Sequence, residues 1–165
     1  MATELPVRIE FSLPKGWQAT PPDEAGAPGV AFVALHPAPA RGMANGFTAN
    51  LTIAGEIRDP DLPMAAIADE SVHRLENVAG SVRVRERTAV GPDDSPGLTQ
   101  VLDIELSPGR QIVQCQVYVS MHDVDDPRRR AVLELVLTCT PEQLEEVFAD
   151  FQAFVQSVRP AAARS

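Results

Sequence analysis

A strand that leads directly into a capped amphipathic helix is the feature that most constrains the fold of this chain. Apolar residues occupy alternate positions of segment 130–139, as expected for a strand with one buried side: Leu133, Leu135, Leu137 and Cys139. Thr140 has the character of a helix N-cap, with Pro141 at the first helical position and Gln143 completing a capping box. The helix that follows carries an apolar stripe at three- and four-residue steps: Leu144, Val147, Phe148, Phe151, Val155 and Val158. Strand and helix therefore face a common core.

Further strands and one further helix are predicted upstream. Alternating apolar residues indicate strands at these segments: 7–13, 30–35, 47–53, 81–89, 98–106 and 111–120. Asp61 or Pro63 begins a helix of about sixteen residues that ends before Gly80. The last four strands must pair in antiparallel fashion, because a parallel return needs a crossover of roughly a dozen residues. The sequence thus predicts an α+β fold, in which two long helices cover one face of a largely antiparallel sheet of about seven strands.

The size and composition of the chain predict one domain without a membrane-spanning segment. A single core suffices for 165 residues, and we expect one domain over residues 1–160 and a disordered tail over residues 161–165. No run approaches the ~20 apolar positions of a membrane span, and the N-terminus lacks the pattern of a secretory signal, so we expect a cytoplasmic protein. Cys115 and Cys139 lie on the apolar sides of predicted strands, where we expect reduced thiols, with a disulfide as the alternative.

The charge of the chain argues against nucleic acid as a partner. The net charge of −9 at pH 7 repels phosphate backbones over most of the surface, so cationic or neutral partners fit better. Arg83, Arg85 and Arg87 share one face of a predicted strand, while Asp103 and Glu105 share a face of the next. Cross-strand ion pairs explain both sets, and a basic stripe for an anionic partner is the alternative.

Patterns typical of catalytic or metal-binding sites are not found in the sequence. His36, His73 and His122 are far apart and lack the spacing of a metal site, so we expect surface histidines. No serine lies in a G-x-S-x-G elbow, neither cysteine has a histidine in a catalytic pattern, and no glycine-rich stretch resembles a phosphate loop. We therefore expect a protein that is not an enzyme and that carries neither a metal nor a cofactor.

A row of polar side chains on one sheet face is the candidate binding surface. It combines alternate residues of two predicted strands: Thr48, Asn50 and Thr52 in one, and Gln114, Gln116 and Tyr118 in the other. We expect this face to point away from the helices. It is then either an ordinary solvated face or a recognition surface for a protein partner, with Tyr118 as an amphipathic anchor.

The order of the predicted elements resembles that of the Mog/PsbP-like superfamily, whose actinobacterial members include the LpqN-like proteins. The residues that carry the resemblance are the Leu13-Pro14-Lys15-Gly16-Trp17 motif, the strands at 49–53 and 114–119, and the strand and helix of 133–158. The resemblance implies a non-enzymatic role, since some members bind a small GTPase and others support the oxygen-evolving complex. The LpqN-like proteins are exported lipoproteins, whereas no signal peptide or lipobox cysteine is found near the start of this sequence.

Two functions are consistent with these observations. The first is a cytoplasmic, non-catalytic module that recognises a protein partner through the polar sheet face and the flanking loops 18–29 and 36–46. The second is the binding of a small-molecule or lipid-like ligand between Trp17, the loops of residues 18–46 and the sheet, since ligand pockets combine apolar walls with a few polar groups.

Overall fold

The computed structural model describes residues 5–6, 8–24, 30–36, 48–91, 95–122 and 130–160, and this part of the chain forms nine strands and two helices. In chain order they are β1 (Ile9–Glu10), β2 (Gln18–Thr20), β3 (Phe32–Leu35), β4 (Asn50–Arg58), α1 (Met64–Glu76), β5 (Ser81–Val90), β6 (Gly97–Ser107), β7 (Arg110–His122), β8 (Arg130–Cys139), α2 (Leu144–Ser157) and β9 (Arg159–Pro160). The predicted tail 161–165 and parts of the predicted loops 18–29 and 36–46 lie outside the described residues.

Seven of these strands form one antiparallel sheet with the order β2-β3-β4-β8-β7-β6-β5. The described part of the predicted strand 7–13, residues 8–13, is not in this sheet, contrary to expectation, because Ile9–Glu10 pairs with Arg159–Pro160 in a separate small sheet. The seventh place is taken by β2, which lies in a segment predicted to be a loop. The chain reaches β2 through a turn in which Gly16 has a φ of 89°, a conformation that favours glycine. The seven-stranded antiparallel sheet is therefore confirmed, with one strand exchanged.

The two helices pack on opposite faces of the sheet, which corrects the expectation that both lie on one face. Helix α2 covers the side of β8 that carries Leu135 and Leu137, whereas α1 covers the side that carries Val132. Successive strand residues point to opposite faces, so these sets define an α2 face and an α1 face. The physical reason is that β8 is apolar on both sides, since Val132 and Val136 are buried as well as the leucines.

The predicted capping-box hydrogen bonds are present, but they close a turn ahead of α2. The helix begins at Leu144 with Gln143, and not Thr140, in the N-cap position, so Pro141 is not its first residue. The backbone nitrogen of Thr140 donates to Gln143 Oε1 at 2.9 Å, and that of Gln143 donates to Thr140 Oγ1 at 3.2 Å. Two backbone donors of this turn are thus satisfied by side chains. The buried stripe differs from the expected one, because Phe154 is fully buried whereas Phe148, predicted to be in the core, is 39% exposed. The helix is therefore rotated slightly from the orientation that the sequence suggests.

Candidate functional site

Helix α1 covers part of the polar row that the sequence predicts on one sheet face. Gln116 and Tyr118 are each 1% exposed and lie beneath α1. Their expected exposure is wrong, because the face that carries them packs against a helix instead of pointing to solvent. Thr52 and Gln114 lie on the same face but beyond the helix, and they keep partial exposure. The row is therefore divided into a buried part and an open part.

The amide of Gln116 is the centre of the buried part, and all of its hydrogen-bonding groups are paired. Its Nε2 donates to Ser71 Oγ at 3.1 Å and to Gln114 Oε1 at 2.8 Å. Its Oε1 accepts from Gln100 Nε2 at 2.7 Å and from the Tyr118 hydroxyl at 2.9 Å. A primary amide has two donor hydrogens and one oxygen with two lone pairs, so Gln116 has no capacity left for a partner. It instead joins the sheet to α1.

Arg83 and Arg85 of β5 form the expected cross-strand ion pair, both with Asp103, whereas Arg87 pairs with α1 and lies on the other face. Arg83 Nη2 lies 2.9 Å from Asp103 Oδ2 on the α2 face, and Arg85 Nε donates to the same oxygen at 3.0 Å. The hydrogen bond from Arg85 is the main cause of the lowered pKa of the Asp103 carboxyl. A register shift at Arg85 turns Arg87 to the α1 face, where its Nη1 donates to Asp69 of α1 at 2.8 Å. The predicted arginine row is thus split between the two faces.

Beside α1, the open part of the polar row lines a groove with a volume of about 310 Å³. Its lining residues come from α1, β4, β7, β8 and the turn after α1: Thr52, Ser71, Arg74, Leu75, Val78, Gln114, Gln116, Glu134, Val136 and Thr138. The hydroxyls of Thr52 and Thr138 and the Nε2 of Gln114 make no hydrogen bond within the described part of the chain. This polar groove therefore presents hydrogen-bonding groups that no other described residue uses.

A second cavity, of about 230 Å³, adjoins the polar groove, and Arg74 and Glu134 line both. On its other side, Arg58 pairs with Glu70 through two contacts, Nη1 to Oε1 at 2.8 Å and Nη2 to Oε2 at 2.6 Å. The hydrogen bond from Arg58 is the main cause of the lowered pKa of the Glu70 carboxyl. We refer to this recess as the Glu134 cavity.

Glu134 lies at the junction of the polar groove and the Glu134 cavity. Its Oε2 is 3.9 Å from Arg74 Nη2, its Oε1 is 3.4 Å from the Tyr118 hydroxyl, and 24% of its side chain is exposed. Burial raises the pKa of the Glu134 carboxyl and that of the Tyr118 phenol, because a low-dielectric environment disfavours their charged forms. The carboxyl group of Glu134 is therefore a hydrogen-bond acceptor within the Glu134 cavity.

The remaining residues of the predicted surface lie at the rim of the polar groove or farther along the sheet. Asn50 pairs across the ladder with Thr138, which lines the groove, and its Nδ2 donates to the carbonyl oxygen of Thr48 at 3.4 Å. Both Asn50 and Thr48 are partly exposed. Of the six predicted residues, Thr52, Gln114 and Gln116 line the groove, and Tyr118 lines the adjoining Glu134 cavity.

Trp17, which the alternative hypothesis places in a ligand pocket, is 6% exposed and belongs to the core under α2. Its Nε1 donates to Asp150 Oδ2 of α2 at 2.9 Å. Its ring meets the His36 ring edge-on, with centroids 5.0 Å apart. The indole therefore closes one end of the core and satisfies its polar atom internally. Residues 25–29 and 37–46, which were expected to form other walls of that pocket, lie outside the described residues.

An apolar cavity of about 290 Å³ lies on the α2 face, between α2 and the strands β6 and β7. Its walls include Val101 and Val117 from the sheet and Phe148 and Val155 from the helix. Partial exposure of Phe148 leaves the cavity open along the helix. This recess is separate from the polar groove, because it lies on the other side of the sheet.

The two cysteines are free and buried, as expected. Burial raises the thiol pKa to about 11 for Cys115 and to about 12 for Cys139, so both stay protonated at neutral pH. His73 is exposed on α1, with Nδ1 3.3 Å from Glu76, and the side chain of His122 lies outside the described residues. In the described ranges, no three side chains of the metal-binding types are grouped together. Neither described helix has the length and apolar character needed to cross a membrane.

Sequence reasoning missed Glu134, Arg74 and Thr138. Glu134 had a signal, because it is a carboxylate in the middle of the apolar segment 130–139, and such residues are rarely buried without a partner. Arg74 and Thr138 had none that the sequence alone reveals. Their proximity depends on the pairing of β8 with β4 and β7 and on which face α1 covers.

Solved structures share this architecture along most of the chain at low sequence identity. LpqN of Mycobacterium tuberculosis, which is involved in cell envelope biogenesis, is 12% identical with a TM-score of 0.66, over 92% of this chain and 83% of that one. The cyanobacterial PsbP of Synechocystis sp. PCC 6803 is 15% identical with a TM-score of 0.57, and the match covers 93% of this chain and 86% of that one. Mog1p, a Ran-binding protein of Saccharomyces cerevisiae, is 11% identical with a TM-score of 0.57, over 92% and 89%. No protein-family model and no curated protein sequence matches the chain.

Proposed function

We propose that this chain, which has the Mog/PsbP-like fold, is a non-catalytic binding module that recognises a protein partner through the polar groove in the bacterial cytoplasm. The observation that carries the proposal is the contrast between Gln116 and its neighbours. Gln116 is fully paired, whereas the Gln114 Nε2 and the hydroxyls of Thr52 and Thr138 are unused by the described residues and border an open groove. Such groups form the polar contacts of protein interfaces.

The chemistry of the ionisable groups supports a binding role over catalysis. A nucleophile is activated by a lowered pKa or by an adjacent base. The raised thiol pKa values of Cys115 and Cys139 and the raised pKa of the Tyr118 phenol have the opposite effect, since they keep these groups protonated. A binding role also agrees with the yeast neighbour, which is a Ran-binding protein.

The first test is to fill the polar groove with a bulky side chain. The protein that co-purifies with the tagged full chain from its native host is identified and purified, and its affinity for each variant is measured by calorimetry. Thr138→Arg places a long cation in the groove, and we expect at least about a tenfold loss of affinity, because shape complementarity is lost at the contact.

Thr88→Arg is the matched control, since Thr88 is an exposed threonine in the strand β5, away from the groove. It should bind the partner as the wild type does. Thermal unfolding of both variants checks that the fold is kept. Unchanged affinity of the folded Thr138→Arg variant contradicts a partner site in the polar groove.

The second candidate function is the binding of a small apolar or lipid-like ligand, and the apolar cavity under α2 favours it. Its volume of about 290 Å³ is close to the lower end, about 300 Å³, of known ligand pockets. If this function holds, a fluorescent probe with apolar rings, such as the anion 1-anilinonaphthalene-8-sulfonate, should bind the native chain at a saturable site. Val117→Trp should abolish that binding by filling the cavity, whereas Thr138→Arg should leave it unchanged. Equal probe fluorescence in the Val117→Trp variant argues against the cavity as a ligand site.

A further inference from the structure

The carboxylate of Glu134 is surrounded by groups that do not fill its hydrogen-bonding capacity. The Tyr118 hydroxyl lies 3.4 Å from Oε1 but only 2.9 Å from Gln116 Oε1, and a hydroxyl has a single proton to donate. Arg74 Nη2 is 3.9 Å from Oε2, which is beyond hydrogen-bond distance, and 62% of the Arg74 side chain is exposed. Within the described ranges, the Glu134 carboxyl thus lies in a recess without a strong donor.

The neighbouring carboxylates differ from Glu134 in this respect. Glu70 receives two hydrogen bonds from the Arg58 guanidinium, of 2.8 and 2.6 Å, and Glu56 receives a third at 2.8 Å. Arg58 is therefore committed to these two acids and does not neutralise Glu134. Burying a carboxylate without a matched cation is unfavourable, and burial accordingly raises the pKa of Glu134.

The recess next to Glu134 has a volume and a lining that suit one long cationic side chain. Its volume of about 230 Å³ is below the ~300 Å³ at which pockets for whole ligands begin. Ala54, Ile67 and Val132 form an apolar wall of the cavity. The aliphatic part of a lysine or arginine side chain can pack against this wall while its charged end reaches the Glu134 carboxylate. The net charge of −9 also favours a basic partner at long range.

We propose that Glu134 anchors an arginine or lysine side chain of the protein partner, an inference that rests on the proposed function. The cation enters the Glu134 cavity from the polar groove, pairs with the carboxylate and displaces the weakly held Arg74. An arginine makes two parallel hydrogen bonds to the two carboxylate oxygens, and a lysine makes a point-charge contact.

The probes are three capped amino acids, N-acetyl-arginine methylamide, N-acetyl-lysine methylamide and the neutral arginine analogue N-acetyl-citrulline methylamide. They are titrated into the isotope-labelled full chain, and the side-chain amide signals of Gln114 and Gln116 are followed by NMR. We expect saturable shifts with the arginine or the lysine probe and at least about a tenfold weaker effect with citrulline, which lacks the charge. Glu134→Gln should abolish the shifts. Glu105→Gln, which removes a carboxylate from the other face of the sheet, should keep them.

Three results would each contradict the proposal that Glu134 anchors a cation. The citrulline and arginine probes could give equal shifts, no probe could give a shift, or the Glu134→Gln variant could bind the cationic probes as the wild type does. Partner affinity separates this inference from the proposed function. If Thr138→Arg loses the partner and Glu134→Gln keeps it, the groove is the partner site and the anchor is wrong. If both variants keep the partner, the proposed function itself fails.

Folding of the test variant is checked in the same samples. Because burial raises the pKa of Glu134 above its value in the unfolded chain, its ionisation opposes folding as the pH rises through the native pKa. Glu134→Gln should therefore be at least as stable as the wild type at neutral pH in urea unfolding. If it unfolds instead, Glu134→Asp serves as the test variant, because it keeps the charge but withdraws it from the recess and should weaken the arginine and lysine shifts.

Discussion

Replacing Gln116 and Tyr118 together by alanine is expected to lower the free energy of unfolding by at least about 4 kcal/mol. Both side chains are almost completely buried beneath α1. Removal of the Tyr118 ring opens a cavity in the cluster of apolar residues under the helix. Removal of the Gln116 amide leaves Ser71 Oγ of α1 without its donor and Gln100 Nε2 with only a 3.4 Å contact to the Ala68 carbonyl oxygen. Buried polar groups that lose partners are costly.

Urea unfolding followed by circular dichroism measures this effect. Thr138→Ala is the matched control, because Thr138 lies on the same face, is only partly buried and makes no side-chain hydrogen bond within the described residues. The control should stay within about 0.5 kcal/mol of the wild type. A double variant as stable as this control contradicts the position of α1 over Gln116 and Tyr118.

The sequence predicts which residues of a strand lie on the same face of the sheet. It does not predict what covers each face. Val113 and Cys115 lie on the α2 face and Gln114 and Gln116 on the α1 face, as the alternation in β7 predicts. The apolar stripe of α1 shows that the helix packs against the sheet, but not against which face. The polar residues of β7 were interpreted as exposed to solvent. They are instead paired with one another and with α1, which allows a helix to cover them.

Local signals were more reliable than the assignment of partners. The capping box of Thr140 and Gln143 depends on residues three positions apart, and the structure contains it. Segment 7–13 has the alternation of a strand, but alternation does not specify which strand it pairs with. Of its described residues, 8–13, only Ile9–Glu10 forms strand pairs, and these lie outside the main sheet.

The candidate site was predictable only where it depends on local alternation within a strand. Thr52 and Gln114 were identified from the polar face of their strands, and both line the polar groove. Arg74 and Glu134 meet at 3.9 Å only because α1 crosses the face where β4 and β8 pair. Arg74 and Glu134 are sixty positions apart in the sequence. A local sequence pattern does not show which residues so far apart come into contact.

Leu135→Ala is expected to lower the free energy of unfolding by about 2–5 kcal/mol. Leu135 is fully buried in the middle of β8, where it pairs with Ile53 of β4 and Val117 of β7 on the α2 face. Because the sheet neighbours on both sides fix the backbone, the cavity left by the side chain closes only partly. Leu106→Ala, at an exposed leucine near the end of β6, should change the stability by less than about 0.5 kcal/mol. A loss below about 1 kcal/mol for Leu135→Ala in urea unfolding is incompatible with a core position.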